Sequence, residues 1–511
     1  MTTALGPAEG AVADTGDGWR RLSPRMLAVH PVMELRRLIF PLIAVLVGVQ
    51  TNNGADGGWW ALGIGGLGIG LGFLRYFTTS FRITPEYVQV RRGLIRRRTL
   101  TVPRDRIRTV DVTAHLLHRV FGLARVTVGT GQTDKKNDGV KFDGLGAAAA
   151  ENLHRELLHR PVAAPGTTAV PEVASATQET LLAALRPGWI RYGPFTLSGL
   201  VTIGVLVGLG SRLVNESHVD LTKIGLVHAS IDYLQQRPLP VAILLVIAGI
   251  VVFTAVASTV GYVLAFWGFR LSRHDSGTLH VRRGLLTTRN TTIEERRLRG
   301  VELSEPLLLR AVGGARVLAI ATGLRVGRGA ERGGSVLLPP APHTVAADVA
   351  GTVIGAAEPL RMALAGHGRR ATLRRFTRAG VTSTVMILIV LASVLVAGVP
   401  WWAFLTALAL LPLGLLLAWD RAGALGHAVT GGWLVSRQGS LVRRRYVLRT
   451  DAVIGWNLTT SLFQRRAGLT TLTATTAGGR QGYAILDVAD AEAVRVAEAA
   501  VPGLLRQFMT G

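Results

Sequence analysis

The stretch RRGLIRRRTLTVPRDRIRTVDVTAHLLHRVFGLARVTV (residues 91–128) is written again, altered, as RRGLLTTRNTTIEERRLRGVELSEPLLLRAVGGARVL (282–318) and as RQGSLVRRRYVLRTDAVIGWNLTTSLFQRRAGLTTL (437–472). Two glycines measure the unit. Gly93 and Gly122, Gly284 and Gly313, and Gly439 and Gly468 each stand 29 positions apart. Between them the apolar columns agree in type, as at Val102, Ile293 and Leu448 or at Ile107, Leu298 and Val453, and an arginine recurs at Arg119, Arg310 and Arg465. A repeat constrains architecture ahead of any single residue, because each copy must fold as the same small unit. Short apolar runs broken by turn residues predict small antiparallel sheets. Each copy then closes on a helical pattern, at 147–159, 345–365 and 489–508. Asp490 suits the N-cap of the last of these, and Pro502 should kink or end its regular part. Strands covered by one helix make an α+β module, here used three times.

Working outward, an apolar pair of segments precedes each copy: 38–50 with 59–77, 195–214 with 238–269, and 379–399 with 401–419. Most approach the roughly 20 residues that cross a bilayer as helix. The first is short and needs residues 35–37, with Arg36 and Arg37 reaching back to the headgroups. A mean hydropathy of +0.35 and 49% hydrophobic residues agree with a membrane protein. The first outer loop, 51–58, has no Lys or Arg, whereas Arg36, Arg37, Arg75, Arg82, Arg186, Arg270, Arg369, Arg370 and Arg421 flank the inner ends. That bias places the modules and both termini in the cytoplasm. It also accounts for most of the net charge of +25 without nucleic acid, since an anionic leaflet attracts basic residues. Zero cysteines exclude disulfides, thiolate metal sites and cysteine nucleophiles.

The order of hairpin, Arg-Arg-Gly turn, Ile-Arg-x-Val segment, Arg-x-x-Gly and Ala-Arg-Val strand resembles the bacterial pleckstrin-homology-like type 2 domain. Several such domains joined by membrane hairpins resemble the YdbS/YdbT-type multi-pass membrane proteins of bacteria. The third copy departs from the pattern, with Gln438, Ala452 and Ile454 where the others carry arginine. The resemblance implies a PH-like fold of two sheets with a C-terminal helix, and it brings no catalytic residues.

The chain therefore reads as six transmembrane helices in three α-helical hairpins, alternating with three α+β PH-like modules, each a β-sandwich or barrel with a C-terminal helix. Residues 1–34 read as a disordered cytoplasmic lead, 35–77 as the first hairpin, 78–160 as the first module and 161–180 as a linker. The second hairpin and module follow at 181–269 and 270–368, and the third at 369–420 and 421–511. Within these, 181–192 and 369–378 read as amphipathic pieces riding in the headgroup layer.

Arginines crowd the shared turn: Arg91, Arg92, Arg96, Arg97 and Arg98, then Arg282, Arg283 and Arg289, then Arg437, Arg443, Arg444 and Arg445. Guanidinium forks grip phosphate oxygens in pairs, so these turns are candidates for lipid or partner binding. Solvated inner-face charge is the favoured reading of them. Arg119, Arg310 and Arg465 read as structural, through a salt bridge or a cap on carbonyls. Gly66 with Gly70 and Gly68 with Gly72 lie within the second span, where small residues let helices approach. Their match to a dinucleotide fingerprint has no strand before it. His115 with His118 and His154 with His159 lack zinc-protease spacing, and neither a nucleophile elbow nor a phosphate-binding loop is found. No catalytic residue, metal or cofactor is expected. The spans lack central ionisable residues, against a coupled transporter. A non-enzymatic scaffold or regulatory platform is the expectation, binding anionic lipid or a protein partner, with a smaller PH-like membrane protein as one candidate and homo- or hetero-oligomers open. Movement of a lipid or amphipathic compound is the alternative.

Overall fold

Each copy of the repeat folds as two three-stranded halves, a front half that holds the first repeat glycine and a back half that holds the second. The computed structural model describes residues 78–129, 140–150, 179–196, 232–324 and 335–504 apart from 85, 94–97, 105–106, 108 and 147, with isolated positions at 14–29, 66, 70, 208 and 229. The chain divides into two compact units, residues 1–292 and 293–511.

In the first unit, β1 (Asp14–Thr15), β2 (Trp19–Arg21), β3 (Ser80–Ile83), β4 (Tyr87–Arg92) and β5 (Arg98–Pro103) form one sheet in that order. The back half of the first copy, β6 (Thr109–Ala114), β7 (Leu123–Gly129) and β8 (Val140–Gly146), opens a second sheet. The strand β9 (Glu179–Ala184) and the second copy's front half, β10 (Arg270–His274), β11 (Thr278–Arg283) and β12 (Thr288–Glu294), complete it in the order β8-β7-β6-β12-β11-β10-β9. In the second unit, β13 (Leu298–Pro306), β14 (Gly314–Ala321) and β15 (Val336–Pro342) are continued by β16 (Gly426–Thr430), β17 (Trp433–Gln438) and β18 (Val442–Arg449) in the order β15-β14-β13-β18-β17-β16. The last half, β19 (Gly455–Thr459), β20 (Leu469–Thr475) and β21 (Gly482–Ala489), stands as a sheet of three. Sheets are thus shared between neighbouring copies.

The glycine columns mark two turns. Gly93, Gly284 and Gly439 have φ of 109°, 105° and 99° and link the second and third strands of each front half. A Cβ at Gly284 or Gly439 would lie 2.1 Å from the carbonyl oxygen of Thr287 or Val442. Gly122, Gly313 and Gly468, at φ of 63°, 72° and 63°, follow the short helices α1 (Leu116–Val120), α3 (Leu307–Ala311) and α9 (Leu462–Ala467). Of the closing helices, α4 (His343–Ile354) buries Ala346, Ala350 and Val353 and stops at the left-handed Gly355, where the sequence pattern ran on to 365. A separate turn, α5 (Glu358–Arg361), follows it. The helix α10 (Asp490–Ala500) packs Ala493, Val496, Ala497 and Ala500 into the last core, and ends before Pro502 as expected. Asp490 opens its first turn without a side-chain cap.

Three of the expected spans are described: α2 (Leu239–Phe266), α6 (Gly368–Ala397) and the pair α7 (Trp402–Leu408) with α8 (Leu410–Ala424). The other three fall outside the described residues, apart from isolated positions. The most apolar window of α2 has mean hydropathy 2.9 with none of it buried. Ile243, Leu244, Ile247, Val252 and Phe253 are all exposed, and each such side chain gains about 2 kcal/mol by leaving water. In the third hairpin, Ser383 Oγ donates to the Leu410 carbonyl at 3.0 Å, and Gly414 lies under the same hydroxyl.

The bases of the apolar segments are clasped by strands. Before the first, Arg20 and Arg21 pair with Phe81 and Ser80 beyond it. Around the second, Ala183 and Ala184 pair with Leu271 and Arg270. Around the third, Ala365 and His427 exchange backbone hydrogen bonds of 2.9 and 3.1 Å. Parts of the leading 34 residues therefore join the fold, and Met26 and Val29 are buried in its first core. The segment 181–192 differs from the headgroup-riding expectation. It supplies most of β9 and a 3-10 helix (Pro187–Phe195) that buries Trp189 and Tyr192, and Gly193 and Thr196 contact Thr259 and Ser258 of α2. The segment 369–378 is the first three turns of α6, continuous with the span.

Replacing Gly439 by Ala should destabilise the solubilised protein by at least about 2 kcal/mol, since backbone must move. Gly468→Ala meets only the tip of Arg370 and should cost about 1–2 kcal/mol. Thermal unfolding in detergent would order the two, and an equal loss would refute the turn geometry.

Candidate functional site: the arginine turns and the joints between copies

The front half of one copy docks on the back half of the copy before it, twice, in one register. In the first joint Thr291 of β12 faces Asp111 of β6, and Arg289 faces Thr113. In the second, Tyr446 of β18 faces Glu302 of β13, and Arg444 faces Ser304. Measured from the glycine columns these are the same positions, so the repeat builds the joint as well as the module.

An acid and an arginine recur there. Arg289 lies 3.2 Å from Asp111, which also accepts from Thr291 Oγ1 at 2.6 Å. Arg444 lies 3.1 Å from Glu302, with Arg480 at 3.5 Å. Glu302 is buried, and desolvation raises its pKa against the opposing pull of Arg480, Arg444 and Arg316. The recurring arginine of the short helix adds a second bond. Arg119 donates to the Leu285 carbonyl at 3.2 Å, and Arg310 donates to the Ser440 carbonyl in the same column at 3.5 Å. Sequence led to a salt bridge or a carbonyl cap within the module, whereas both carbonyls belong to the turn of the following copy. Arg465, in the third copy, is exposed.

The other turn arginines have varied settings. Arg91 stacks over the Trp19 ring at 4.7 Å. Arg96 and Arg97 lie outside the described residues, and for Arg92 and Arg98 only the backbone pairing of β4 with β5 is described. Arg282 is exposed, whereas Arg283 is buried over the Phe266 ring at the base of α2. Arg437 donates to the Gly423 and Ala424 carbonyls at the end of α8. Arg443 and Arg310 share Asp420 of α8, at 2.7 and 3.0 Å. Arg445 donates to the carbonyls of Leu360 and Met362 at 2.7 and 2.6 Å, and burial draws its guanidinium down to about 10. Much of the described basic charge is therefore committed to internal acids and carbonyls. Among the described residues no atom lies near the would-be Cβ positions of Gly66 and Gly70, and Gly68 and Gly72 lie outside the described residues.

Two clusters at the base of the third hairpin are not adjacent in sequence. Asp487, fully buried, accepts from Arg374 and Arg375 at 2.5 Å each and from Gln464 Nε2 at 2.8 Å. These two arginines, expected in the headgroup layer, are aimed into the module. Beside them His367 Nδ1 meets the Leu486 carbonyl at 2.7 Å, and its Nε2 lies 3.0 Å from His427 Nδ1. His427 Nε2 lies 3.5 Å from Glu492. Burial lowers the pKa of His367 to about 4 and lowers that of His427, against the pull of Glu492. The histidines are 60 positions apart, so spacing alone could not pair them. Among the described residues no group of three or more His, Asp or Glu side chains could hold a metal ion.

The model of the bacterial PH domain family matches residues 25–161, 219–350 and 383–498, well over half of the chain. The chain belongs to that family, and its apolar helices make it a membrane-associated member. No curated protein and no solved structure matches it.

A histidine held neutral stabilises the fold above its unfolded pKa near 6.5, and the contribution is lost as pH falls toward the folded value of about 4. Acidification from pH 7 to 4.5 should therefore cost on the order of 2 kcal/mol at this site after allowing for partial exposure. The thermal midpoint of His367→Gln should fall less over that range than that of the parent protein. Parallel loss in both would exclude the histidine.

Proposed function

We propose that the protein is a non-enzymatic, six-span membrane scaffold whose three PH-like modules lie in the cytoplasm and present their exposed faces to a protein partner or to anionic lipid. The observation that carries this reading is the repeated joint, in which strands, acids and arginines are spent on fastening one copy to the next. A chain built in this way fastens the binding surfaces of neighbouring copies to one another within each compact unit. The strand clasps support the hairpin topology. Because a segment before each apolar stretch pairs with the segment after it, the chain must leave and return on the same side, which calls for an even number of crossings. Inner-leaflet attraction supports the cytoplasmic side, with exposed Arg282 beside the base of α2.

Two measurements test it. The absence of native cysteine allows Pro400→Cys and Ala477→Cys to be labelled singly in intact cells and in inverted vesicles. Pro400, between α6 and α7, should label from outside and Ala477 only from the cytoplasmic face; labelling of both from one side would refute the hairpins. In vesicles containing the purified protein, no saturable flux of lipid or amphipathic dye is expected. Flux abolished by substitutions at Ser383 or Gly414 would overturn the scaffold reading.

A further inference from the structure

The two internal joints leave one half-joint open at each end of the series. Among the described residues, β5 ends its sheet with no strand beyond it, and so does β19. Yet β5 occupies the place of β12 and β18, and β19 occupies the place of β6 and β13. Burial records the difference. Leu100 is 43% exposed, whereas Thr291 and Tyr446 in its column are each 3% exposed. Leu458 is 44% exposed, whereas Leu303 in its column is 2%. In the arginine column Arg119 and Arg465 are both exposed, but Arg119 and Arg310 each donate to a carbonyl in the turn of a following copy.

We propose that β19 of one chain pairs with β5 of a second copy of the chain, making a third joint between molecules. The occupant follows from the strand pairing: among the described residues the only strands on this kind of edge are third strands of a front half, and β5 is the one such strand left unpaired. The register follows as well. Thr291 facing Asp111 and Tyr446 facing Glu302 place Leu100 opposite Asn457, Thr99 opposite Leu458 and Arg98 opposite Thr459. Backbone hydrogen bonds along such an edge supply affinity and the side chains supply specificity. The contact is head to tail, so each chain offers one edge and accepts at the other, and assemblies grow as rings or rows in the membrane plane. Asn457 stands where the covalently linked joints carry Asp111 and Glu302. The column that holds Arg98 is then opposed by a neutral residue where the internal joints place an acid. This inference is independent of the scaffold reading, since it needs only that modules of two chains share one side of one membrane.

The test uses full-length chains in membranes. One tagged copy carries Leu100→Cys and a differently tagged copy carries Asn457→Cys, or Thr99→Cys with Leu458→Cys; facing Cα atoms in an antiparallel pair lie within disulfide range. Oxidation should give a mixed dimer with at least one of the two pairs and none with Gln89→Cys against Leu458→Cys. Absence of the mixed dimer from both pairs, with thermal midpoints unchanged, would overturn the proposal. So would a chain carrying both cysteines that closes only on itself. With Thr99→Cys and Leu458→Cys as reporters, adding Asn457→Asp should raise dimer yield at limiting expression about threefold to tenfold. No change, or a fall, would reject the charge column.

Discussion

The pairing of each back half with the next front half is the interaction on which the architecture rests. A three-stranded sheet carries two open edges and half a hydrophobic face, and so few strands are marginal in isolation. Joining β6 to β12 and β13 to β18 removes four edges and makes the backbone ladder continuous from one copy into the next. The energetic weight lies in those ladders and in the apolar residues beneath them, such as Val301, Leu303, Val447 and Leu448, all buried. The ion pairs decide which strand pairs with which, and in what register. Shifting β18 by one residue would turn Arg444 away from Glu302 and leave the buried carboxylate with Arg480 as its remaining ion-pair partner, a destabilising change.

Arginine is the residue that can hold these positions. Burying a cation is costly, and lysine can shed its proton to escape, but a guanidinium keeps its charge and spreads it over several donors. Arg310 shows the consequence, reaching Asp420 and a turn carbonyl from one side chain. Arg445 holds two carbonyls beyond α4, and Arg437 holds two at the end of α8. The same chemistry that would suit phosphate is thereby used on helix ends and acids. Positive charge that looks like a ligand site in sequence is in large part the fastening of the hairpin bases to the sheets.

Much of the fold was legible. The glycine columns announced turns, and the turns have the positive φ that only glycine takes cheaply. The apolar segments that are described form long helices at the expected places. The joints were not legible, because strand periodicity states which face is buried but not which edge is paired. Asp111 and Glu302 share a column with Asn457, and that column attracts notice only once Arg289 and Arg444 are known to lie across from it. The 181–192 segment misled for a similar reason: Trp189 and Tyr192 beside arginines suit an interface, but they also suit the base of α2, where Ser258 and Thr259 let a 3-10 helix approach. Composition cannot separate those two settings. A strand on the near side of the segment can, and β9 was masked by its setting in a proline-rich stretch.

The clasps tie each apolar stretch to the module that follows it. The backbone that enters each apolar stretch pairs with the strand that leaves it, through strands at the first two and a single bridge at the third, so each stretch is closed at its base by the sheet it feeds. A tilt of α6 must therefore act on the third module through Arg374, Arg375 and the buried carboxylate of Asp487, since these three cannot separate without leaving a charge unpaired in the core. His367 and His427 sit on the same base and must stay largely neutral there, because burial leaves little room for a second charge beside the arginines. The hairpin base is thus the place where membrane geometry and sheet geometry are coupled. The joints carry that coupling into the neighbouring copy, because Asp420 at the foot of α8 is held at once by Arg443 of its own module and Arg310 of the module before it.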